Sequence, residues 1–171
     1  MKFDGVAVVP TSPARVDRLM RSAIESMSLD LTGIVVLTEA ASAHFDVTCL
    51  MAGLADADAV IAIVRDSRWG SANDVVAAVR SRAGQLGIEG RIEFAPKVTR
   101  SVAAGCSLVT NLGFVRPLGE EMISALPGDA GISLMCEPWE VRFDDVDVGS
   151  AIRRSVPVAG TNETHPLVRT F

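Results

Sequence analysis

Along this chain, short runs of wholly apolar residues alternate with longer stretches in which apolar residues recur every three or four positions. The short runs suit strands buried on both faces, and the recurring positions suit helices that lay one face against them. The pattern predicts strands at Gly5–Pro10, Ile34–Leu37, Ala59–Val64, Ile92–Phe94, Ser107–Thr110, Gly131–Met135 and Val156–Thr161. Helices are predicted at Ala14–Met27, Ala43–Leu54, from the Ser71 cap to about Leu86, Glu120–Leu126 and Val148–Arg154, with a short helix or turn at Thr99–Gly105. In the first helix Val16, Leu19, Met20, Ala23, Ile24 and Met27 share one face, and Ser12-Pro13 supplies an N-cap followed by proline at the first helical position. Ser71 and Asp74 form a variant of the capping box, with Val75, Val76, Val79, Ala83 and Leu86 turned inward. Glu120 and Glu121 complement the dipole at the start of their helix. Strands and helices alternating at this pace imply right-handed crossovers. The expected fold is therefore a single α/β domain, a doubly wound, mostly parallel sheet with helices on both faces. It is expected to run over residues 1–166, with a tail at 167–171.

Composition narrows the function classes. The chain has 171 residues, 49% of them apolar, and no tyrosine, which suits a Val/Ala/Leu/Ile core between sheet and helices. A net charge of −5 and only two lysines disfavour a broad nucleic-acid surface, which needs clustered basic residues. Cys49, Cys106 and Cys136 show neither a disulfide framework nor metal-ligand spacing, so a reducing, cytoplasmic setting is expected. The first residues do not read as a signal peptide, and no apolar run approaches a membrane span.

In an open α/β sheet, ligands collect outside the carboxyl ends of the strands. That rule selects the loops Thr38–Phe45, Arg65–Gly70, Asn111–Arg116, Cys136–Arg142 and Thr161–His165. Gly33 to Gly70 reads as a nucleotide-fold βαβ unit with Ala40, Ala41 and Ala43 where close approach to a pyrophosphate calls for glycine. Thr38, Ser42 and the first helical amides can bind an anion; alternatively Ser42 only caps its helix. Glu39 would repel a phosphate there, and instead suits hydrogen bonds from a ribose, an amine or the adjoining loop. Asp66 stands where a ribose diol is held, with Arg65 or Arg68 beside a 2′-phosphate or on an adenine; the other reading is a local charge cluster leading into the Ser71 cap. Trp69 reads as a lid on the core, or else as a wall for a flat ring. Arg116 is placed to face an acidic substrate, or to pair with Glu120 or Glu121. Glu137, Trp139 and Glu140 suit an amine-binding substrate corner or an inter-subunit contact. Of the two histidines, His44 reads as solvated or as a helix-end partner, and His165 is the acid/base candidate.

The run Val35 to Ser42 (VVLTEAAS), with VTNLGFVRP and VPVAGTNETHP downstream, resembles a group of Rossmann-like NAD(P)-binding proteins, akin in architecture to the cofactor domains of D-2-hydroxyacid dehydrogenases and S-adenosylhomocysteine hydrolase. The likeness spans roughly Leu31 to Pro166. It implies an oxidoreductase-type subunit acting on a small molecule with NAD or NADP, forming a homo-oligomer such as a homodimer, with a second subunit supplying a substrate domain. Carried over by position, Ser42 meets the pyrophosphate and Asp66 and Arg65 the adenosine ribose. Asn111 then lies near the nicotinamide side; apart from the resemblance, Gly113 in the same loop is a cofactor-binding candidate and Arg116 and His165 are the catalytic candidates. Two other readings stand beside it. One is an S-adenosylmethionine-dependent methyltransferase-like protein with Glu39 and Asp66 bracketing the ligand; the other is a non-catalytic scaffold with a degenerate cofactor site.

Overall fold

A computed structural model describes residues 12–140 and 142–166. The strand expected at Gly5–Pro10 and the tail at 167–171 lie outside the described residues, as does the side chain of His44. The elements run α1 (Pro13–Met27), β1 (Val35–Glu39), a 3-10 turn (Ala43–Asp46), α2 (Val47–Leu54), β2 (Ala59–Ile63), α3 (Ala72–Leu86) and β3 (Ile92–Ala95). They continue with α4 (Arg100–Ala103), β4 (Leu108–Thr110), α5 (Glu120–Ala125), β5 (Gly131–Ser133), α6 (Val148–Arg153) and β6 (Val158–Ala159). The six strands form one sheet in the order β3-β2-β1-β4-β5-β6, and every pairing is parallel. This is a single α/β sheet of Rossmann type.

The alternation of strand side chains divides the core in two. Val36, Val60 and Ala62 face α1, α2 and α3 with Met20, Leu50, Val75 and Val79. Leu37, Ile63, Val109 and Ile132 face α4, α5 and α6 with Ala103, Ile123 and Ala151. The predicted caps form: Ser12 Oγ accepts from the Arg15 amide, and Ser71 Oγ accepts from the Asp74 amide at 3.1 Å. On α1, Met20 is buried while Leu19 and Met27 are exposed, so its apolar face is narrower than the spacing suggests.

Two differences bear on function. The helix expected at Ala43–Leu54 begins only at Val47, after a 3-10 turn closed by the Ala41 amide on the Phe45 carbonyl at 3.3 Å. The strands expected at Gly131–Met135 and Val156–Thr161 are shorter because Pro157 has no amide to donate and the Met135 amide turns to a side chain. Among the described residues, no helix is long and apolar enough to cross a membrane, and all three cysteines are free thiols.

Candidate functional site

Strands β1 and β4 are neighbours, yet the chain leaves β1 toward α2 on one face and β4 toward α5 on the other. That divergence opens a crevice at their carboxyl ends, the usual ligand position in this architecture. A cleft of about 800 Å³ lies there. The β1 loop contributes Glu39, Ala41, Ser42 and Phe45; the β2 loop contributes Ser67, Arg68 and Trp69; the β4 loop contributes Gly113 and Phe114. Three of the five loops selected from the sequence thus meet in one place.

Glu39 is the last residue of β1 and only 5% exposed. Its Oε2 accepts the Phe114 amide at 2.6 Å, tying the two sides of the crevice together. A Cβ at Gly113 would stand 3.4 Å from the same oxygen, in ordinary contact, so the loop lies directly against the carboxylate. Of the partners considered for Glu39, the adjoining loop is the one it has. Thr38 does not reach the cleft: it is fully buried, and its hydroxyl accepts from Thr110 Oγ1 at 3.0 Å. The expected anion contact at Thr38 is thus excluded, because β1 continues through it and turns it into the sheet. Ser42 lines the cleft, but it does not cap α2, whose N-cap position is Asp46.

On the β2 side, Asp66 Oδ1 accepts the Ala72 amide at 2.8 Å and so secures the first turn of α3. Arg65 reaches across to donate to the Phe114 carbonyl, and its guanidinium lies 5.7 Å from that ring's centre. Trp69 is not a lid on the core. Reciprocal backbone bonds between Ser67 and Gly70 make a tight turn that presents the indole to solvent, 71% exposed, with Arg68 stacked 4.6 Å from the ring centre. It forms a wall of the cleft instead.

The remaining candidates lie elsewhere. Asn111 is buried, its Oδ1 accepting the Met135 amide at 2.7 Å. Arg116 pairs with Asp145 at 2.6 Å, not with Glu120 or Glu121, because Leu118 bonds to the backbone of Asp145 and Asp147 and brings that segment alongside. Glu120 pairs with Arg153. Glu137 is buried and accepts the Glu163 amide at 3.0 Å, while its own amide donates to Glu140 Oε2 at 3.3 Å. Trp139 stands 74% exposed, so the two acids serve the loops and do not close around the ring. Arg116 and Glu140 line a small cavity of about 160 Å³ with Cys136, Arg142 and Asp145. His165 is exposed, donates its amide to the Asn162 carbonyl at 3.1 Å, and lines neither cavity. The structure therefore does not gather Arg116 and His165 with the large cleft.

Sequence reasoning missed Asp46. It is 6% exposed, its Oδ2 accepts from Arg82 at 2.7 Å, and Arg82 also binds Asp17 at 3.0 Å. A second cavity of about 310 Å³ adjoins the large cleft and is lined by Asp46, Asp74 and the apolar face of α3. The signal for Asp46 was an acid at the head of an apolar helix, which reads as an ordinary cap.

A dinucleotide in this fold sets its pyrophosphate against a glycine turn and the free amides of the following helix. Here Ala40 is fully buried, Ala41 and Ser42 carry side chains into the turn, and α2 opens on a carboxylate. With Glu39 also fixed at the crevice, these residues do not fit a pyrophosphate.

No protein-family model matches the chain, and no curated protein matches it. Solved structures do match in fold. Shikimate 5-dehydrogenase from Listeria monocytogenes, solved with shikimate and NAD, superposes with a TM-score of 0.53 at 11% identity, covering 85% of this chain and 51% of that one. An alcohol dehydrogenase zinc-binding domain protein from Burkholderia ambifaria gives 0.52 at 19% identity, covering 91% and 40%. Benzyl alcohol dehydrogenase from Acinetobacter calcoaceticus gives 0.51 at 15% identity, covering 96% and 46%. The chain spans about half the length of these structures or less, and the likeness shows a shared Rossmann-type fold.

Proposed function

We propose that this Rossmann-type domain is the small-molecule-binding part of an oxidoreductase-type protein. Its cleft at the β1/β4 crevice takes a ligand with a flat ring and hydrogen-bond donors but no pyrophosphate. The observation that carries this reading is Glu39, a buried carboxylate held by the Phe114 amide in a cleft walled by Phe45, Trp69 and Phe114. Aromatic walls suit a flat ring. Glu39 Oε1, which accepts no hydrogen bond from the described residues, suits a donor such as a ribose hydroxyl or an amine. A phosphate held about 4 Å from this carboxylate would cost about 4 kcal/mol at an effective dielectric of about 20, roughly a thousandfold in affinity.

S-adenosylmethionine meets the same requirements, since it offers an adenine ring, ribose donors and a sulfonium, and no phosphate. Among the described residues every strand pairing is parallel, which speaks against a methyltransferase, whose last strand runs antiparallel. A nicotinamide dinucleotide, the ligand the fold suggests, would find Asp66 in the loop after β2 for a ribose, Oδ2 accepting no bond from the described residues, but its pyrophosphate meets the misfit at the β1 turn. Self-association and a second subunit covering the cleft belong to the same proposal and are read from the mass in solution.

Thermal-shift titration separates these ligands, because one that binds only the folded chain stabilises it by about 2.7 kcal/mol at a hundred times its dissociation constant. The expected result is a saturable rise with adenosine or S-adenosylmethionine and a weaker one with NAD⁺ or NADPH. A strong rise with a dinucleotide and none with the phosphate-free compounds would overturn the reading.

A further inference from the structure

Phe114 is held at both of its backbone groups by side chains from two other loops. Glu39, at the end of β1, accepts its amide at 2.6 Å, and Arg65, just past β2, donates to its carbonyl. The strand order sets β1 between β2 and β4, so Arg65 reaches over the end of β1 to a residue 49 positions on. Its guanidinium also lies 5.7 Å from the centre of the Phe114 ring. Around that residue the chain makes a tight turn, with the Val115 and Arg116 amides both donating to the Leu112 carbonyl at 3.0 Å. The turn sets its own shape, while Glu39 and Arg65 set where it sits. Phe114 is half-buried against the core and lines the cleft, whereas Arg65 is exposed and does not line it. Arg65 can therefore act on a ligand there only through Phe114. A basic residue past β2 can serve a 2′-phosphate in this architecture, but here the guanidinium is turned onto the chain itself.

We propose that Arg65 is a positioning residue, which fixes the Phe114 wall where a ligand's ring stacks and so sets the cleft's preference for ring-bearing ligands. The inference rests on the proposed reading of the cleft and deepens it. A wall that is loose in the free chain must be ordered when the ligand arrives, and that ordering subtracts from affinity; a wall held beforehand escapes the cost. Arginine suits the task because its planar fork donates to a carbonyl and lies against a ring at once, whereas lysine offers a point charge on a flexible stem.

Calorimetric titration of the whole chain with adenosine tests this on Arg65→Met, which keeps an apolar stem and removes the guanidinium. Arg65→Met is expected to bind adenosine about fivefold more weakly, the scale of ordering one side chain at the moment of binding. Its urea midpoint should hardly move, because Arg65 is exposed. Phe114→Leu removes the ring, and adding Arg65→Met to that variant should change the affinity by less than about twofold, since the two residues act as one unit. Without ligand, exchange of the Phe114 amide hydrogen should quicken about fivefold in Arg65→Met as the turn loosens. Undiminished adenosine binding by Arg65→Met, a loss that persists without the ring, or an unchanged exchange rate would overturn the positioning role while leaving the cleft reading intact. Failure of adenosine to bind the native chain overturns both.

Discussion

Replacing Glu39 by glutamine changes one charge and almost no volume, and it tests whether that carboxylate selects the ligand. The Phe114 amide keeps an oxygen partner, so the bond seen at 2.6 Å passes from charge-assisted to neutral. Charge-assisted bonds contribute roughly 1.5–3 kcal/mol and neutral ones roughly 0.5–1.5, so Glu39→Gln should cost about 1 kcal/mol of stability. For a chain of this size that is a fall in Tm of about 2–4 °C. The effect on binding is larger and depends on the sign of the ligand's charge. The cleft is open to water on one side, so repulsion of a phosphate at about 4 Å lies between about 1 and about 4 kcal/mol. Glu39→Gln should therefore raise the affinity for NAD⁺ by roughly fivefold to a thousandfold and lower that for S-adenosylmethionine. Urea unfolding, read from the midpoint at constant slope, measures the first effect, and calorimetric titration measures the second. If NAD⁺ bound the variant no better than the native chain, Glu39 would not face the ligand and the selection argument would fail.

Other outcomes follow from the packing. Burial pushes the Cys49 thiol up to about 12 and the Cys106 thiol up to about 11. Both hold their proton more tightly folded than unfolded, so stability is full below pH 9 and falls as pH rises from there toward 11 and 12, and Cys49→Ala should flatten that fall in an alkaline unfolding series. In a thiol-reagent assay at pH 8, the half-buried Cys136 should react first while Cys49 and Cys106 wait for unfolding. Asn111→Ala leaves the Met135 amide without its acceptor and should cost about 1–3 kcal/mol by urea midpoint. Gly160→Ala puts a Cβ 2.6 Å from the Pro138 ring and should cost about 1–3 kcal/mol, whereas Gly90→Ala, which meets nothing within 4 Å, should not.

The strands and helices were legible because a parallel sheet buried on both faces writes itself as short apolar runs. What could not be read was set by residues far apart in the chain. Ser42 looks like a cap, but Asp46 heads α2 and is held by Arg82, 36 residues on. Arg116 has acids four and five places away, yet it takes Asp145 because the Leu118 backbone carries that segment past it. Trp69 is aromatic in a loop, and only the Ser67–Gly70 turn decides that it faces the cleft and not the core.

The polar residues at the strand ends show why a candidate site is harder to read than a fold. Each loop that leaves a parallel strand carries amides that the sheet no longer satisfies, and buried amides need acceptors. Three side chains meet that need in sequence across the sheet: Glu39 after β1 takes Phe114, Asn111 after β4 takes Met135, and Glu137 after β5 takes Glu163. Each ties its own loop to the loop of the next strand. The same residue types at the same strand ends are those a ligand would use, so the sequence marks them without telling lacing from recognition. Geometry separates the two by what each oxygen has left. Asn111 is buried, serves the Met135 amide and does not line the cleft, whereas Glu39 lines it with Oε1 accepting no bond from the described residues. That spare oxygen beside the cleft is why Glu39 carries the proposed reading, in which the ligand brings a hydrogen-bond donor.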